Sequence, residues 1–218
     1  MEIIVLKEID STNNYAKKLI DKNKNNFVVL ANKQTNGRGR LDRKWISNEG
    51  GLYFSLVKDF SDIYPILTPL AIVKTLKLFN IDAKIKFPND ITINNKKLSG
   101  ILIESYKDRV IIGIGINFYN KVELDTAISI YDLNTFVDRL EFLFKFLEIF
   151  NKYLKKDKNQ ILDEYKKYSS TLNQKVKLIL PNKVVEGFVR DIDFDGITLK
   201  IGDREVKYPT GEVVHLRI

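Results

Sequence analysis

Gly37-Arg38-Gly39-Arg40-Leu41-Asp42-Arg43-Lys44-Trp45 is the stretch on which the reading of this chain turns. Glycine lets a backbone approach an anion closely, and arginine offers a planar fork of donors to phosphate or carboxylate oxygens. A loop of this composition suits phosphate handling. By composition alone it is equally an exposed basic loop or an arginine-rich nucleic-acid arm. Trp45 shifts the balance towards a nucleotide site, because an indole at the end of such a loop can stack on a base or close over it.

The surrounding chain places this stretch between strands. Residues 3–9 read as a strand, and Ser11-Thr12 offers hydroxyls to cap a helix running to about Asp21. Phe27 to Ala31 is a second strand, and residues 32–50 form a polar loop of a length that usually marks function. Leu52 to Val57 resumes as a strand, and Pro65 opens a helix extending to Phe79. Residues 83–87, 91–93, 97–105 and 110–118 follow as short strands separated by turn chemistry. Phe136, Leu140, Leu143, Phe144, Leu147 and Phe150 recur at helical spacing, which predicts an amphipathic helix packed on the sheet through these side chains. A lysine-rich helix ends near Tyr168. The pattern then changes to alternating segments at 176–180, 184–192, 197–201, 205–208 and 213–216. The fold class is therefore α+β, with a main domain over residues 1–172 and a small all-β, barrel-like module over 173–218.

Bulk properties exclude several kinds of chemistry. With 218 residues the chain can build one sizeable core with an appendage, but not two full-sized domains. It has no cysteine, which removes disulfides, thiolate nucleophiles and Cys-ligated zinc. Its one histidine, His215, argues against a Ser-His-Asp triad or a multi-histidine metal site. No apolar run approaches the roughly 18–20 residues that cross a bilayer, and Met1 leads directly into a strand, so a cytoplasmic protein is expected. The net charge of +8 fits a nucleic-acid binder, but equally an ATP-using enzyme with an acidic protein partner.

Beyond the glycine-arginine loop, Gly50-Gly51-Leu52-Tyr53-Phe54-Ser55 extends an ordered set of segments. These are Ser11-Thr12-Asn13, Gln34, Lys86-Phe87-Pro88-Asn89-Asp90, Lys97-Leu98-Ser99-Gly100-Ile101-Leu102-Ile103-Glu104, Gly113-Ile114-Gly115-Ile116-Asn117 and the terminal Gly211-Glu212-Val213-Val214-His215-Leu216-Arg217. In this order, over almost the whole chain, they closely resemble the biotin–protein ligases, also called biotin–[acetyl-CoA-carboxylase] ligases or holocarboxylase synthetases. The resemblance implies a catalytic domain like that of the class II aminoacyl-tRNA synthetases, a mixed sheet packed with helices, followed by a small SH3-like β-barrel. It implies formation of biotinyl-5'-AMP from biotin and ATP, with Mg²⁺ mainly on the phosphates, and transfer of biotin to a lysine of a biotin carboxyl carrier protein or domain. A homodimer is possible, since related enzymes often pair. No DNA-binding domain is expected, because the chain begins at the catalytic domain.

By the same resemblance, biotin is expected against Ser11, Thr12, Asn13, Gln34, Gly37, Arg38, Gly39, Arg40, Lys97, Gly100, Gly113 and Gly115. ATP is expected against Arg38, Arg40, Trp45, Asn89, Lys97, Asn117 and Arg217. The residues themselves are consistent with this. A ureido ring needs a few fixed donors and acceptors in an otherwise apolar pocket, and Ser11, Thr12 and Gln34 supply such groups, although Ser11-Thr12 also reads as a helix cap. Gly113 and Gly115 lie in an apolar strand, where a missing side chain lets a ligand or another chain approach the backbone. Asp90 and Lys97 flank Asn94-Asn95, and a hairpin across that turn would set carboxylate and ammonium side by side, as a site or as a surface salt bridge. Arg40, Lys97 and Asp90 are the expected catalytic residues. The first two offset the charge of two anionic reactants, and Asp90 orients or deprotonates the acceptor amine.

Two positions depart from the family pattern: Phe87 where many relatives have Trp, and Asp42 where many have Gly. Two other readings stay open, a lipoate or octanoyl ligase of the same fold and a basic nucleic-acid-binding module.

Overall fold

The order of elements follows from how apolar side chains alternate along the strands. The structure, a computed structural model, describes residues 1–213 and 215–217. The chain forms β1 (Glu2–Ile9), α1 (Thr12–Ile20), β2 (Phe27–Gln34), β3 (Leu52–Asp59) and α2 (Tyr64–Leu78). It continues through β4 (Lys84–Lys86), β5 (Asp90–Ile93), β6 (Lys96–Tyr106) and β7 (Arg109–Ile116) to α3 (Arg139–Tyr153) and α4 (Lys158–Tyr168). β1 and β2 run parallel, so α1 is the crossover that carries the chain back. The remaining neighbours pair antiparallel, giving a seven-stranded mixed sheet in the order β1-β2-β3-β7-β6-β5-β4.

Successive residues of a strand point to opposite faces, and this divides the core in two. Val28, Leu30, Phe54, Leu56, Ile112 and Ile114 face the large core that contains α2 and α3. Val29, Val57 and Ile111 face the other way, onto Ala16, Leu19 and Ile20 of α1. α1 covers only part of its face, packing on β2, β3 and β7. The uncovered remainder, over β5, β6 and the end of β7, holds the site.

α2 begins where Pro65 predicts, with that proline in its first turn, and ends against Phe79 as its C-cap. It is apolar almost all round because it is enclosed by the sheet, α3 and α4. α3 is capped by Asp138, whose side chain accepts from the Glu141 amide at 2.8 Å, a bond of the kind that stabilises a helix by about 1 kcal/mol.

The face that α3 buries differs from the expected one. Leu143, Leu147 and Phe150 are core, but Phe136, Leu140 and Phe144 are 81%, 50% and 57% exposed. Phe142, Phe146 and Tyr153 are buried instead, and Phe136 precedes the helix altogether. Aromatics sit on two adjoining stripes of this helix, and periodicity does not choose between them. Packing chose, with Phe146 meeting Phe54 edge-on at 5.4 Å and Phe142 meeting Phe118 at 5.3 Å.

The C-terminal strands are β8 (Lys175–Ile179), β9 (Val184–Ile192), β10 (Gly196–Ile201), β11 (Arg204–Pro209) and β12 (His215–Arg217). They form an antiparallel sheet in the order β11-β10-β9-β8-β12. Among the described residues it is open, with β11 and β12 at opposite edges rather than paired to close a barrel. The last strand, expected over 213–216, is seen at 215–217, and Val214 lies outside the described residues. Val176, Leu178, Val189 and Ile197 join the same contiguous core as the large sheet, so the C-terminal strands are docked rather than tethered. No helix among the described residues is long and apolar enough to cross a membrane.

Candidate active site

The uncovered part of the sheet is floored by glycine. Register aligns Tyr53, Gly115, Gly100 and Asp90 in one row across β3, β7, β6 and β5, and Ser55, Gly113 and Leu102 in the next. Both rows point to the face of α1. Each glycine has a neighbour where a side chain would be: a Cβ on Gly113 would collide with the Asn13 amide, and one on Gly115 with the Trp45 indole. A Cβ on Gly100 would press on the same ring. Above this floor is a cavity of about 160 Å³, bordered by Ser11, Thr12, Asn13 and Gln34 at one end and by Asn89, Asp90 and Lys97 at the other. Arg38, Gly39, Arg40 and Trp45 also line it.

The first end is a continuous belt of hydrogen bonds. The Thr12 amide donates to Gln34 Oε1 at 2.8 Å, and Gln34 Nε2 donates to Ser47 Oγ at 2.8 Å. Ser55 Oγ lies 2.7 Å from Thr12 Oγ1 and 2.6 Å from Asn13 Oδ1, while Asn13 Nδ2 donates to Glu104 at 2.7 Å. Ser11 occupies the N-cap position of α1 by backbone, but its side chain makes no capping bond. It and Thr12 are nonetheless buried at the cavity. Sequence reasoning missed Ser55, Ser47 and Glu104 as parts of this end. Ser55 and Glu104 stand within quoted motifs, but only strand register shows which face each takes.

The glycine-arginine loop folds back on itself. The Trp45 amide donates to Gly37 O at 2.9 Å and the Gly39 amide to Arg43 O at 2.6 Å, with a tight turn at Arg40–Asp42. Leu41 and Asp42 have φ of 54° and 55°, the left-handed region. Glycine adopts this conformation most readily, and aspartate is among the residues that tolerate it. Asp42 itself is exposed and does not line the cavity.

The two arginines diverge. Arg38 Nη2 donates to both oxygens of Glu104, at 3.1 and 3.0 Å, and to Asn14 Oδ1 at 3.0 Å. Its Nε is buried without a hydrogen bond, a state that costs about 1–3 kcal/mol until an acceptor arrives. Arg40 Nη2 donates to Thr210 O at 3.0 Å and Val213 O at 2.7 Å, and its Nη1 reaches Asn89 Oδ1 at 3.4 Å. Burial lowers the pKa of Arg40, the Asp90 carboxylate opposes this, and Arg43 adds to it. Glu104 shows the reverse balance: burial raises its pKa, but hydrogen bonds from Lys17 and Asn13 and the charge of Arg38 outweigh it, and the carboxyl is held below its ordinary value.

At the other end, Lys97 Nζ lies 2.6 Å from Asp90 Oδ1 and 5.3 Å from the centre of the Trp45 ring. The hairpin expected across Asn94-Asn95 is present, and both residues have positive φ, as a tight two-residue turn requires. The turn pairs Ile93 with Lys96 and Thr92 with Lys97, so Lys97 takes the face of Thr92 and, by alternation, that of Asp90. A β-bulge between Ile91 and Thr92 then shifts the register so that Asp90 opposes Gly100 rather than Ser99, which brings the glycine onto the same face.

A second cavity of about 190 Å³ adjoins the first. Lys44, Trp45 and Lys97 line both. Asn117, buried, lines only the second; its Nδ2 donates to Ile128 O at 3.2 Å and its Oδ1 accepts from Asn120 at 3.1 Å. One N–H and one lone pair of that amide remain for a ligand.

Two expected residues are not brought to either cavity. Gly37 is buried against Ser47 Oγ and Trp45 O, where a Cβ would collide, so it supports the loop from behind. Arg217 is exposed on β12, opposite Lys177, and its neighbour Leu216 lines the first cavity instead. Among the described residues, no three His, Cys, Asp or Glu side chains converge as metal ligands.

The chain that builds this pocket, with its glycine floor, polar end and Lys–Asp pair, is similar to known proteins in sequence and fold. Residues 5–117 match the biotin/lipoate A/B protein ligase family, and residues 171–216 match the biotin protein ligase C-terminal domain. The chain is 32% identical to the biotin–protein ligase of Schizosaccharomyces pombe, across 100% of this chain and 41% of that protein. It is 30% identical to the bifunctional ligase/repressor BirA of Escherichia coli, across 99% of this chain and 74% of the relative. A solved structure of the biotin protein ligase from Aquifex aeolicus in complex with biotin and ATP superposes with a TM-score of 0.88 at 30% identity, covering 99% of this chain and 98% of that one. This chain belongs to the biotin/lipoate A/B protein ligase family. Its C-terminal segment associates it with the biotin protein ligases of that family.

Proposed function

We propose that the chain is an ATP-dependent biotin–protein ligase, which joins biotin to AMP with release of pyrophosphate and then transfers biotin to a lysine of a carboxyl carrier domain. The observation that carries this reading is that Lys97, paired with Asp90, borders both cavities, where a carboxylate in one would meet a phosphate in the other. In the first step a biotin carboxylate oxygen bonds to the α-phosphorus of ATP, and the bond to the leaving pyrophosphate breaks. Two anions approach each other, so cations fixed at the junction stabilise the charge that develops. Lys97 is placed for this directly, and Arg40 and Lys44 lie on the rim of the first cavity.

In the second step the acceptor lysine nitrogen bonds to the acyl carbon and AMP departs with the carboxyl oxygen. Among the described residues Asp90 is the one carboxylate lining the first cavity, so it is the group placed to receive the proton that the amine loses. The glycine floor and the belt from Gln34 to Asn13 suit a ligand with a flat, hydrogen-bonding head. On this reading biotin lies in the first cavity and adenosine in the second, with Asn117 against the base. Mg²⁺ enters as part of the ATP substrate.

The Aquifex relative, solved with biotin and ATP, supports the substrate pair. The C-terminal match favours biotin over lipoate. We further take residues 1–172 as the catalytic unit and 173–218 as an SH3-like appendage on a class II synthetase-like fold, in a cytoplasmic enzyme that can pair as a homodimer. Incubation with biotin, labelled ATP and Mg²⁺, with and without a carrier domain, tests the function. Biotin-dependent pyrophosphate exchange and a mass gain of one biotinyl group on a single lysine are expected. Exchange driven by lipoate but not biotin would replace the reading with the lipoate one.

A further inference from the structure

We propose that Glu104 is a positioning residue for biotin recognition: it holds the Arg38 guanidinium and the Asn13 amide in the orientations that the cavity presents. The inference rests on the reading of the first cavity as the biotin site. Glu104 does not line the cavity. It lies one row behind the Gly113 row, where β6 pairs with Ile111 of β7. From there its carboxylate accepts from Asn13, from Lys17 at 2.8 Å and from Arg38. It thus ties α1, the glycine-arginine loop and the central sheet together at one point.

Two consequences reach the cavity. A carboxylate only accepts hydrogen bonds, so it fixes Asn13 with Nδ2 towards itself and Oδ1 towards Ser55. That sets the orientation of an amide lying directly over Gly113. Glu104 also grips Arg38 through Nη2 alone, leaving the buried Nε without a partner. A buried donor left in this way beside a cavity is a place for a ligand acceptor. Lys17 and Arg38 thus set two cations against this one carboxylate.

Three variants test this: Glu104→Gln keeps the shape but loses the charge and presents an N–H₂, Glu104→Ala removes the contact, and Glu104→Asp keeps the charge. In biotin-dependent pyrophosphate exchange, E104Q and E104A should raise KM for biotin by about tenfold or more, with kcat and KM for ATP changed by less than about threefold. E104D should recover part of the loss. Trypsin should also cut faster after Arg38, Arg40, Arg43 or Lys44 in E104A than in the unmodified chain, a readout that needs no substrate. A biotin KM within about twofold of the unmodified chain, or a parallel loss for both substrates together with a lowered thermal midpoint, would overturn the proposal. Absence of biotin-dependent exchange in the unmodified chain would instead sink the proposed function. In that case unchanged trypsin cleavage in E104A overturns the positioning role separately.

Discussion

Lys97 Nζ and Asp90 Oδ1 are 2.6 Å apart, brought to one face by the hairpin turn that sets Thr92 opposite Lys97. Lys97 borders both cavities and Asp90 only the first, and the two should separate the two chemical steps. Lys97→Ala should slow biotinyl-AMP formation by roughly 10²–10³-fold, the loss typical of removing one preorganised electrostatic contact. Asp90→Asn should spare adenylate formation and slow transfer to the acceptor by about 10²-fold. Single-turnover measurement of each step checks both, and equal loss in the two steps for D90N would deny Asp90 a distinct role.

Arg40 spends its donors on Thr210 O, Val213 O and Asn89 Oδ1, so it joins the basic loop to the C-terminal sheet. Arg40→Ala should let a bound adenylate escape about 10-fold faster or more, as the charge-assisted bonds that hold the loop to the C-terminal sheet are lost. Retention of labelled biotinyl-AMP on a filter reads this. Retention equal to that of the unmodified chain would mean that the loop does not close over the site.

Trp45 is the one tryptophan of the chain, and its indole occupies the space a side chain at position 115 would need. Gly115→Ala should therefore destabilise the fold by about 1–3 kcal/mol through overpacking and shift the tryptophan emission to the red before any ligand is added. Fluorescence spectra with urea unfolding measure both effects. An unshifted spectrum would show that Trp45 does not rest on the glycine floor.

Glu164 anchors α4 to α2 and α3. Burial raises its pKa, but hydrogen bonds from Lys74, Tyr153 and Lys156 bring it from an ordinary 4.5 down to about 2. A carboxyl depressed on folding adds stability that is present above its unfolded pKa and lost as pH falls through the folded one. The contribution of Glu164 should be full above about pH 5 and fade towards pH 2, by roughly 1–2 kcal/mol once solvent screening of these partly exposed charges is counted. The stability gap between the unmodified chain and Glu164→Gln, from urea unfolding at pH 7 and pH 3, should narrow on acidification. A gap independent of pH would remove the network from the account.

What the sequence by itself determined is local. The strands and helices follow from alternation and helical spacing, the turn at Asn94-Asn95 from its two asparagines, and the basic loop from its glycines and arginines. The ordered motifs identified the family, because each reports a short stretch of backbone that chemistry constrains. Tertiary structure alone decided which faces meet. Phe142 and Phe146, not Phe136, Leu140 and Phe144, reached the core, because two apolar stripes on one helix are equivalent until a sheet packs against one of them. Leu216 rather than Arg217 came to the cavity, and Glu104, silent in composition, became the anchor of Arg38 and Asn13. Gly100 shows the reason most clearly. The hairpin at Asn94-Asn95 is written in the chain and already sets Lys97 on the face of Asp90, but a single bulge brings Gly100 rather than Ser99 onto that face, and a bulge is settled by sheet register and packing rather than by the residues at either end.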